Sequence, residues 1–217
     1  MTSNTWRAEQ VGATRLALLM AAERLFAEYG VHVVSLKQIV EAAGQGNNAA
    51  IAYHFGTKAD LIRAIDHRHT EEMERIRAAM LADILDSTDL RDWVAFLVRP
   101  ITEYLEALGS PSWYARFGAQ VHADPALNAI VTEGSPAVAG ASRQFHAGVA
   151  RCLPDLPAQV HIERSVMARH LVAQMVVDRE HALAENLPTF HATWSDTASS
   201  LIEVIVALWQ APARCPE

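Results

Sequence analysis

The sequence predicts an all-α protein of two domains. Apolar residues recur at three- and four-residue steps along the chain, and no alternating pattern longer than four residues favours a strand. A hydrophobic fraction of 51% in 217 residues is enough to bury a sizeable core. Residues 1–66 carry six basic and six acidic groups, whereas the net charge of −7 lies entirely in residues 67–217. This asymmetry predicts a domain boundary at 66/67 and different partners for the two domains.

The N-terminal domain is predicted to begin with a helix over 18–29, which Gly30 ends. Ser35 is a candidate N-cap for a second, short helix that ends at Gly44. The segment 45–47 is typical of a turn, and either Asn47 or Asn48 can cap a third short helix that runs through Phe55. A long fourth helix is predicted from Lys58 to about Leu85.

The C-terminal domain shows five further helical patterns, over 90–109, 112–123, 126–150, 157–184 and 193–210. Pro100 lies inside the first of these and is predicted to kink it, since proline removes a backbone donor. The segment 134–136 is predicted to interrupt the third. This domain is therefore expected to be entirely helical.

Short helices joined by a tight, glycine-containing turn have the spacing of a helix-turn-helix, which places an exposed helix in the major groove of DNA. On the third helix, Ile51 and Phe55 share one face and are predicted to pack on the first two helices. The opposite face is predicted to carry Ala49 and Tyr53, with Ala50 and Ala52 beside them. The alternative is a small helical subdomain in which Tyr53 and Phe55 are only core residues.

The predicted outer face has the chemistry for contacts with DNA. Alanine methyl groups can approach a thymine methyl, and the side-chain amide of Gln45 or Asn48 can pair with adenine. Tyr53, His54 and Lys58 can contact phosphates, which position a protein without specifying sequence. The full predicted DNA-binding set is Ser35, Lys37, Gln45, Asn47, Asn48, Ala49, Tyr53, His54 and Lys58.

Residues 12–66 resemble the N-terminal signature of the TetR family of transcriptional regulators. The resemblance rests on Arg15–Gly30, Ser35 with Ile39, Ala43-Gly44, Tyr53-His-Phe-Gly-Thr-Lys58 and Asp60-Leu61. It implies a dimeric, all-helical repressor that binds a double-stranded DNA operator and leaves it when the C-terminal domain binds a small molecule. It also implies that Ser35 caps the second helix beside a phosphate, and that His54 and Lys58 hold phosphates.

The sequence departs from the usual family form in two ways. The turn and third helix are about one residue longer, at Gln45-Gly-Asn-Asn, and Ala52 stands where a tyrosine is common. The first departure leaves the position of the base-reading residues open by one residue.

Aromatic residues between 90 and 122 predict a ligand site. Trp93, Phe96 and Pro100 share one helix face, and a kinked helix beside a second aromatic helix can enclose an apolar cavity. The predicted ligand-binding set for a small apolar effector is Trp93, Phe96, Tyr104, Trp113, Phe117 and His122. Ordinary core packing is the alternative for any one of these aromatics. A helical enzyme or small-molecule carrier is the alternative function, although it would not need the segment 35–58.

The sequence lacks the signals of other protein classes. It contains no catalytic motif, and the two lone cysteines, Cys152 and Cys215, make neither a disulfide framework nor a zinc cluster. His67 and Glu71 can face one ion, but two ligands are too few, so a solvated helix face is favoured. We therefore expect no enzyme activity, metal or cofactor. The absence of a long apolar segment and of a signal peptide predicts a cytoplasmic protein without a membrane partner.

The last two predicted helices favour a homodimer. Helix 193–210 carries a broad apolar stripe that contains Trp194, Leu201, Ile205 and Trp209. The final helix of a compact chain has few places to bury such a stripe within its own subunit. We therefore expect helices 157–184 and 193–210 to form a four-helix bundle across a two-fold axis.

Overall fold

The computed structural model describes residues 3–47, 49–132 and 136–213, and these residues form α-helices without strands. The helices are α1 (Ser3–Tyr29), α2 (Leu36–Ala42), α3 (Ala50–His54), α4 (Lys58–Ile84), α5 (Leu90–Leu108), α6 (Tyr114–Ala123), α7 (Pro125–Thr132), α8 (Pro136–Cys152), α9 (Ala158–Ala184) and α10 (Trp194–Gln210). The predicted all-α fold is confirmed.

The helix limits differ from the sequence prediction in two places. Helix α1 begins at Ser3, well before the apolar pattern that starts at Leu18. Helix α3 is only five residues long. Most of the predicted interruption at 134–136 lies outside the described residues. On either side of it, the pattern predicted over 126–150 forms α7 and α8, each with proline at its first position. Proline is favoured there because the first amides of a helix have no intrahelical acceptor.

The chain divides into two compact units. The first contains residues 1–70 and 113–134, and therefore holds α1 to α3, the start of α4, α6 and α7. Its core includes Leu18, Phe26, Ile39, Val40, Ile51, Leu61, Ile65, Phe117 and Val121, which are almost fully buried. Helix α6 packs on α1 in this unit, although it lies far from α1 in the sequence. The predicted boundary at 66/67 falls inside α4.

The second unit contains residues 71–112 and 135–217. Helix α5 lies at its centre, in contact with α8, α9 and α10. This helix continues through Pro100, which is buried. The hydroxyl of buried Thr102 lies 3.2 Å from the carbonyl of Val98 and 3.1 Å from that of Arg99, and shares its one proton between them.

The apolar stripe of α10 is buried within its own subunit, which corrects the argument made for it from the sequence. Trp194, Leu201, Ile202, Ile205 and Trp209 are all buried in the second unit, where α10 packs extensively on α5. The stripe therefore needs no partner subunit. The large apolar side chains that α9 and α10 leave exposed are others, namely Ile162, Met167 and Val204.

Close packing of α8 on α5 gives a test of this core. A Cβ atom at Gly148 would lie 2.0 Å from Cδ2 of Trp93, which is itself buried. We therefore predict that Gly148→Ala lowers the free energy of unfolding by about 2 kcal/mol, because the core is overpacked. Denaturant unfolding measures this.

The control is Gly140→Ala, on the same helix. Its Cβ would meet nothing closer than Nη2 of Arg143 at 4.0 Å. We expect this change to be neutral or to stabilise the helix by up to about 1 kcal/mol. Equal stability of the two variants would contradict the described packing.

Candidate nucleic-acid interface

Helix α2 begins with a complete capping box. The Ser35 hydroxyl accepts from the backbone N–H of Gln38 at 3.3 Å, and the Gln38 side chain accepts from the backbone N–H of Ser35 at 2.8 Å. The predicted cap is therefore confirmed, and Ser35 remains exposed. Reciprocal bonds of this kind satisfy two donors at the helix start and fix where α2 begins.

The turn between α2 and α3 is held by its own polar side chains. The Gln45 amide donates to the carbonyl of Ala43 at 3.3 Å, and Oδ1 of Asn47 accepts from the backbone N–H of Ala49 at 2.9 Å. Asn47 therefore makes the cap-like contact before α3 that the sequence assigned to either asparagine. Asn48 lies outside the described residues. Gln45 is half-buried and Asn47 is exposed.

Helix α3 presents the predicted outer face. Ile51 is fully buried, whereas Ala49 and Ala52 are exposed and Tyr53 is 76% exposed. Ala50 corrects the prediction, because it is buried rather than beside the outer residues. Ala50 is buried together with Ile51, the next residue along the helix. The exposed face is thus narrower and consists of two alanines and a tyrosine.

The rings at the end of α3 form a short aromatic series. The Tyr53 and His54 rings pack edge to face, with their centroids 4.9 Å apart. The centroids of the His54 and Phe55 rings lie 6.3 Å apart. His54 and Phe55 are half-buried. Edge-to-face contact restrains the tyrosine ring without burying its hydroxyl. Tyr53 is therefore oriented at the surface.

Lys58 points into the first unit rather than out of it. Its ammonium group donates to the carbonyl of Val34 at 2.6 Å and lies 5.4 Å from the Phe26 ring centroid. Partial burial lowers the pKa of the Lys58 ammonium below its ordinary value. In this arrangement Lys58 ties the start of α4 to the segment that precedes α2. Lys37, in contrast, is exposed and pairs with Glu41 at 3.6 Å.

The start of α4 has a second capping arrangement that the sequence analysis missed. Thr57 Oγ1 accepts from the backbone N–H of Asp60, and Oδ2 of Asp60 accepts from the backbone N–H of Thr57 at 3.1 Å. These bonds lower the pKa of the exposed Asp60 carboxyl. Gly56, at φ +93°, provides the sharp change of direction before it. The spacing of Thr57 and Asp60 in the sequence would have predicted this cap.

Helix α6 is joined to the N-terminal helices by packing and by polar contacts. Phe117 stacks on Phe26 with centroids 6.2 Å apart, which places it in the core of the first unit. Gln120 accepts from the backbone N–H of Val31 and donates to the carbonyl of Ala27, both at 3.2 Å. Gln120 thus bridges the end of α1, a role that sequence reasoning did not find.

A buried polar pair adds to this junction. His69 Nε2 and Glu23 Oε2 lie 2.9 Å apart, and both side chains are almost fully buried. The His69 ring also stacks on Tyr114, with centroids 4.0 Å apart. These contacts connect α1, α4 and α6. A buried pair of this kind is costly to break, because one partner would remain buried without its hydrogen bond.

The six predicted ligand residues are divided between the units. Trp93, Phe96 and Tyr104 belong to the second unit and are 1%, 2% and 6% exposed. Trp113, Phe117 and His122 belong to the first unit, where exposed His122 contacts Asn128 at 3.0 Å. A small surface pocket lies elsewhere, between the end of α9 and the loop before α10, with Arg179, Phe190 and Thr197 in its lining.

Within the described ranges no group of three or more histidine, cysteine, aspartate or glutamate side chains could hold a metal ion. None of the helices in the described part of the chain is long and apolar enough to span a bilayer.

Comparison with known proteins identifies the N-terminal region. Residues 18–65 match the family described as bacterial regulatory proteins, tetR family. An HTH-type transcriptional repressor of Mycobacterium tuberculosis is 30% identical over 92 residues, which are 40% of this chain and 49% of that protein. The match thus spans about half of that repressor. A probable HTH-type transcriptional regulator of Pseudomonas putida, ArpR, is 24% identical over 92% of this chain and 96% of its own length.

A solved structure supports the fold along the chain. The TetR-family transcriptional regulator PfmR of Thermus thermophilus has a TM-score of 0.50 at 16% identity, over 92% of this chain and 96% of its own. At this identity the similarity concerns the helical fold alone. The family match over residues 18–65 includes α2, the turn after it and α3.

Proposed function

We propose that this chain, which belongs to the TetR family of bacterial regulatory proteins, binds operator DNA as a homodimer and represses transcription until a small apolar effector releases it. The observation that carries the proposal is the exposed face of α3. Ala49, Ala52 and Tyr53 face solvent, while Ile51 on the opposite side is fully buried.

The α3 face suits close approach to base edges. Two alanines leave no long side chain between the helix backbone and the floor of the major groove, and their methyl groups can meet thymine methyl groups. Tyr53 projects from the same face and can reach a base edge or a phosphate. In our proposal, Ala49 and Tyr53 with Gln45, Asn47 and Asn48 supply sequence preference.

Residues at the ends of α2 and α3 supply positioning contacts. The Ser35 hydroxyl is exposed at the N-terminus of α2, where amide groups and the helix dipole favour an anion. Exposed Lys37 and half-buried His54 can contact the phosphate backbone of the DNA as well. Such contacts fix register on the duplex and carry no direct sequence information.

The proposed dimer interface is the exposed apolar surface of α9 and α10, not the buried apolar stripe of α10. Ile162 and Met167 on α9 and Val204 on α10 remain exposed, although each is large and apolar. Two-fold pairing of these helices would bury them in a shared bundle. The family membership supports pairing, since a dimer matches a palindromic operator.

The effector proposal rests on Trp93, Phe96 and Tyr104. These aromatics lie on α5, which α8, α9 and α10 surround. They are nearly inaccessible in the described structure, so a ligand reaches them only when the helices around α5 separate. An apolar compound would be preferred, since burying its apolar surface against these aromatic rings is favourable.

The named relatives are transcriptional regulators, and the family they represent is not a family of enzymes. A helical enzyme or carrier that uses the aromatics of 90–122 therefore has no support from them. It would also leave unexplained why Ala49, Ala52 and Tyr53 are exposed together at α3.

The reading helix is tested by Ala49→Glu. A carboxylate on this face would meet the floor of the groove and the phosphates, so we predict at least a roughly 100-fold loss of DNA affinity, about 3 kcal/mol. Fluorescence anisotropy with a duplex selected by the wild-type protein measures it. Ala147→Glu, at an exposed alanine of α8, is the control and should bind normally. Normal binding by Ala49→Glu would remove α3 from the reading role.

The dimer is tested by Val204→Glu, at a residue that is 53% exposed in the single chain. A glutamate there would place an unpaired charge in an apolar seam, at a cost of about 3 kcal/mol or more. Light scattering at micromolar concentration should show a dimer for the wild type and a monomer for this variant. Leu85→Glu, at an exposed leucine outside α9 and α10, should stay dimeric. A monomeric wild type would refute the proposal.

The effector site is tested by tryptophan fluorescence. An apolar compound that releases DNA should quench the fluorescence over the same concentration range, because Trp93 changes its surroundings. Trp93→Phe should lose most of the quenching, whereas Trp6→Phe, at an exposed residue of α1, should keep it. Release by small anions alone, with no quenching, would place the effector elsewhere.

A further inference from the structure

We propose that Arg15 on α1 is a phosphate-binding residue of this protein, and that the Phe55 ring holds its guanidinium beside the end of α3. The inference rests on the proposed DNA binding and adds a residue to it. The guanidinium carbon of Arg15 lies 4.8 Å from the centroid of the Phe55 ring. Phe55 directly follows α3, which begins after exposed Ala49 and carries exposed Tyr53.

Arg15 has no acidic partner among the described residues, whereas other basic side chains nearby are engaged. Arg24 pairs with Glu28 at 3.5 Å, and Lys37 pairs with Glu41 at 3.6 Å. Other engaged groups are Arg63, which pairs with Asp60 at 2.6 Å, and Lys58, which donates to a backbone carbonyl at 2.6 Å. The positive charge of Arg15 is therefore exposed and has no ion pair among the described residues, next to the proposed reading helix.

The Phe55 ring gives this charge a defined position. Stacking of a guanidinium over an aromatic face is favourable and leaves the edge of the guanidinium, with its N–H groups, open to a further partner. A planar guanidinium can donate two parallel hydrogen bonds to phosphate oxygens. An arginine that is already oriented loses less side-chain entropy on binding than a freely rotating one.

The inward position of Lys58 strengthens this assignment. The family resemblance gives the phosphate contact at this end of α3 to Lys58, but its ammonium is bonded to the carbonyl of Val34 over the Phe26 ring. Arg15 presents a cation at the surface beside Phe55 without giving up an internal bond. The alternative role for Arg15 is structural, as a weak surface staple between α1 and the end of α3.

The salt dependence of DNA binding separates the two roles. Each phosphate contact by a cation releases condensed counterions, so the association constant K falls as salt is added. Loss of one contact makes the negative slope of log K against log salt shallower by about 0.9. A structural staple would alter stability without changing that slope. The probe is a fluorescein-labelled, random-sequence duplex of about 30 base pairs, because phosphate contacts do not depend on sequence.

We expect Arg15→Gln to bind this duplex about tenfold more weakly at low salt, with the slope reduced by about 0.9. Arg15→Lys should retain the slope, since the charge remains, while it loses part of the affinity with the planar group. The control is Arg68→Gln, because Arg68 is exposed, has no ion pair among the described residues, and lies about 15 Å along α4 from its first residue. Its affinity and slope should match the wild type.

Three results would overturn the assignment. If the wild type binds the duplex and Arg15→Gln keeps the wild-type slope, Arg15 makes no phosphate contact and the proposed DNA binding stands without it. Equal slope losses in Arg15→Gln and Arg68→Gln would indicate a general charge effect and also contradict it. If the wild type binds no duplex DNA at any salt concentration, the proposed function itself fails, and the assignment fails with it.

Discussion

Burial of Ile51 is the constraint on which the candidate interface depends. Helix α3 has only five residues, too few to be stable alone, so its conformation depends on packing. The fully buried Ile51 side chain fixes the rotation of α3 about its axis, and α2 packs against this side. With that rotation set, Ala49, Ala52 and Tyr53 can only face solvent. The exposed chemistry of the helix is thus a consequence of one buried side chain.

The same requirement explains the polar contacts that surround α3. The capping box of Ser35 fixes the start of α2, and the contact of Asn47 with Ala49 fixes the entry to α3. Thr57 and Asp60 then fix the start of α4. Each contact satisfies amides that a short helix leaves without partners. Together they limit the positions that so short a helix can adopt.

Helix α6 extends this support from outside the N-terminal sequence. Phe117 adds a ring to the core beside Phe26, and Gln120 holds the end of α1. The buried contact of His69 with Glu23 joins α4 to α1. The first unit is therefore completed by residues 113–134, which the family match over 18–65 does not include.

The sequence predicted the parts of the fold that depend on periodicity and on local caps. The Ser35 cap and the outward position of Ala49 and Tyr53 follow from helical geometry within a few residues. The extension of α1 to Ser3 was missed, since an exposed helix has no apolar period to reveal it.

Contacts between distant segments could not be predicted. The apolar stripe of α10 was real, but a pattern does not specify its partner, and the structure places it on α5. Lys58 finds an acceptor 24 residues away, at Val34. Stacking of the Arg15 guanidinium on the Phe55 ring likewise connects α1 to the residue that follows α3. These contacts depend on tertiary structure, and the spacing of residues along the sequence does not show which distant segments meet.

The most direct test of the central claim is selection of bound duplexes from a random pool by the purified wild-type protein. A homodimer that reads DNA with α3 should enrich a palindrome whose half-sites are centred about one helical turn apart, roughly 10–10.5 base pairs, or a multiple of it, because two copies of α3 enter successive major grooves. Recovery of an unenriched pool, or of sequences without two-fold symmetry, would contradict it.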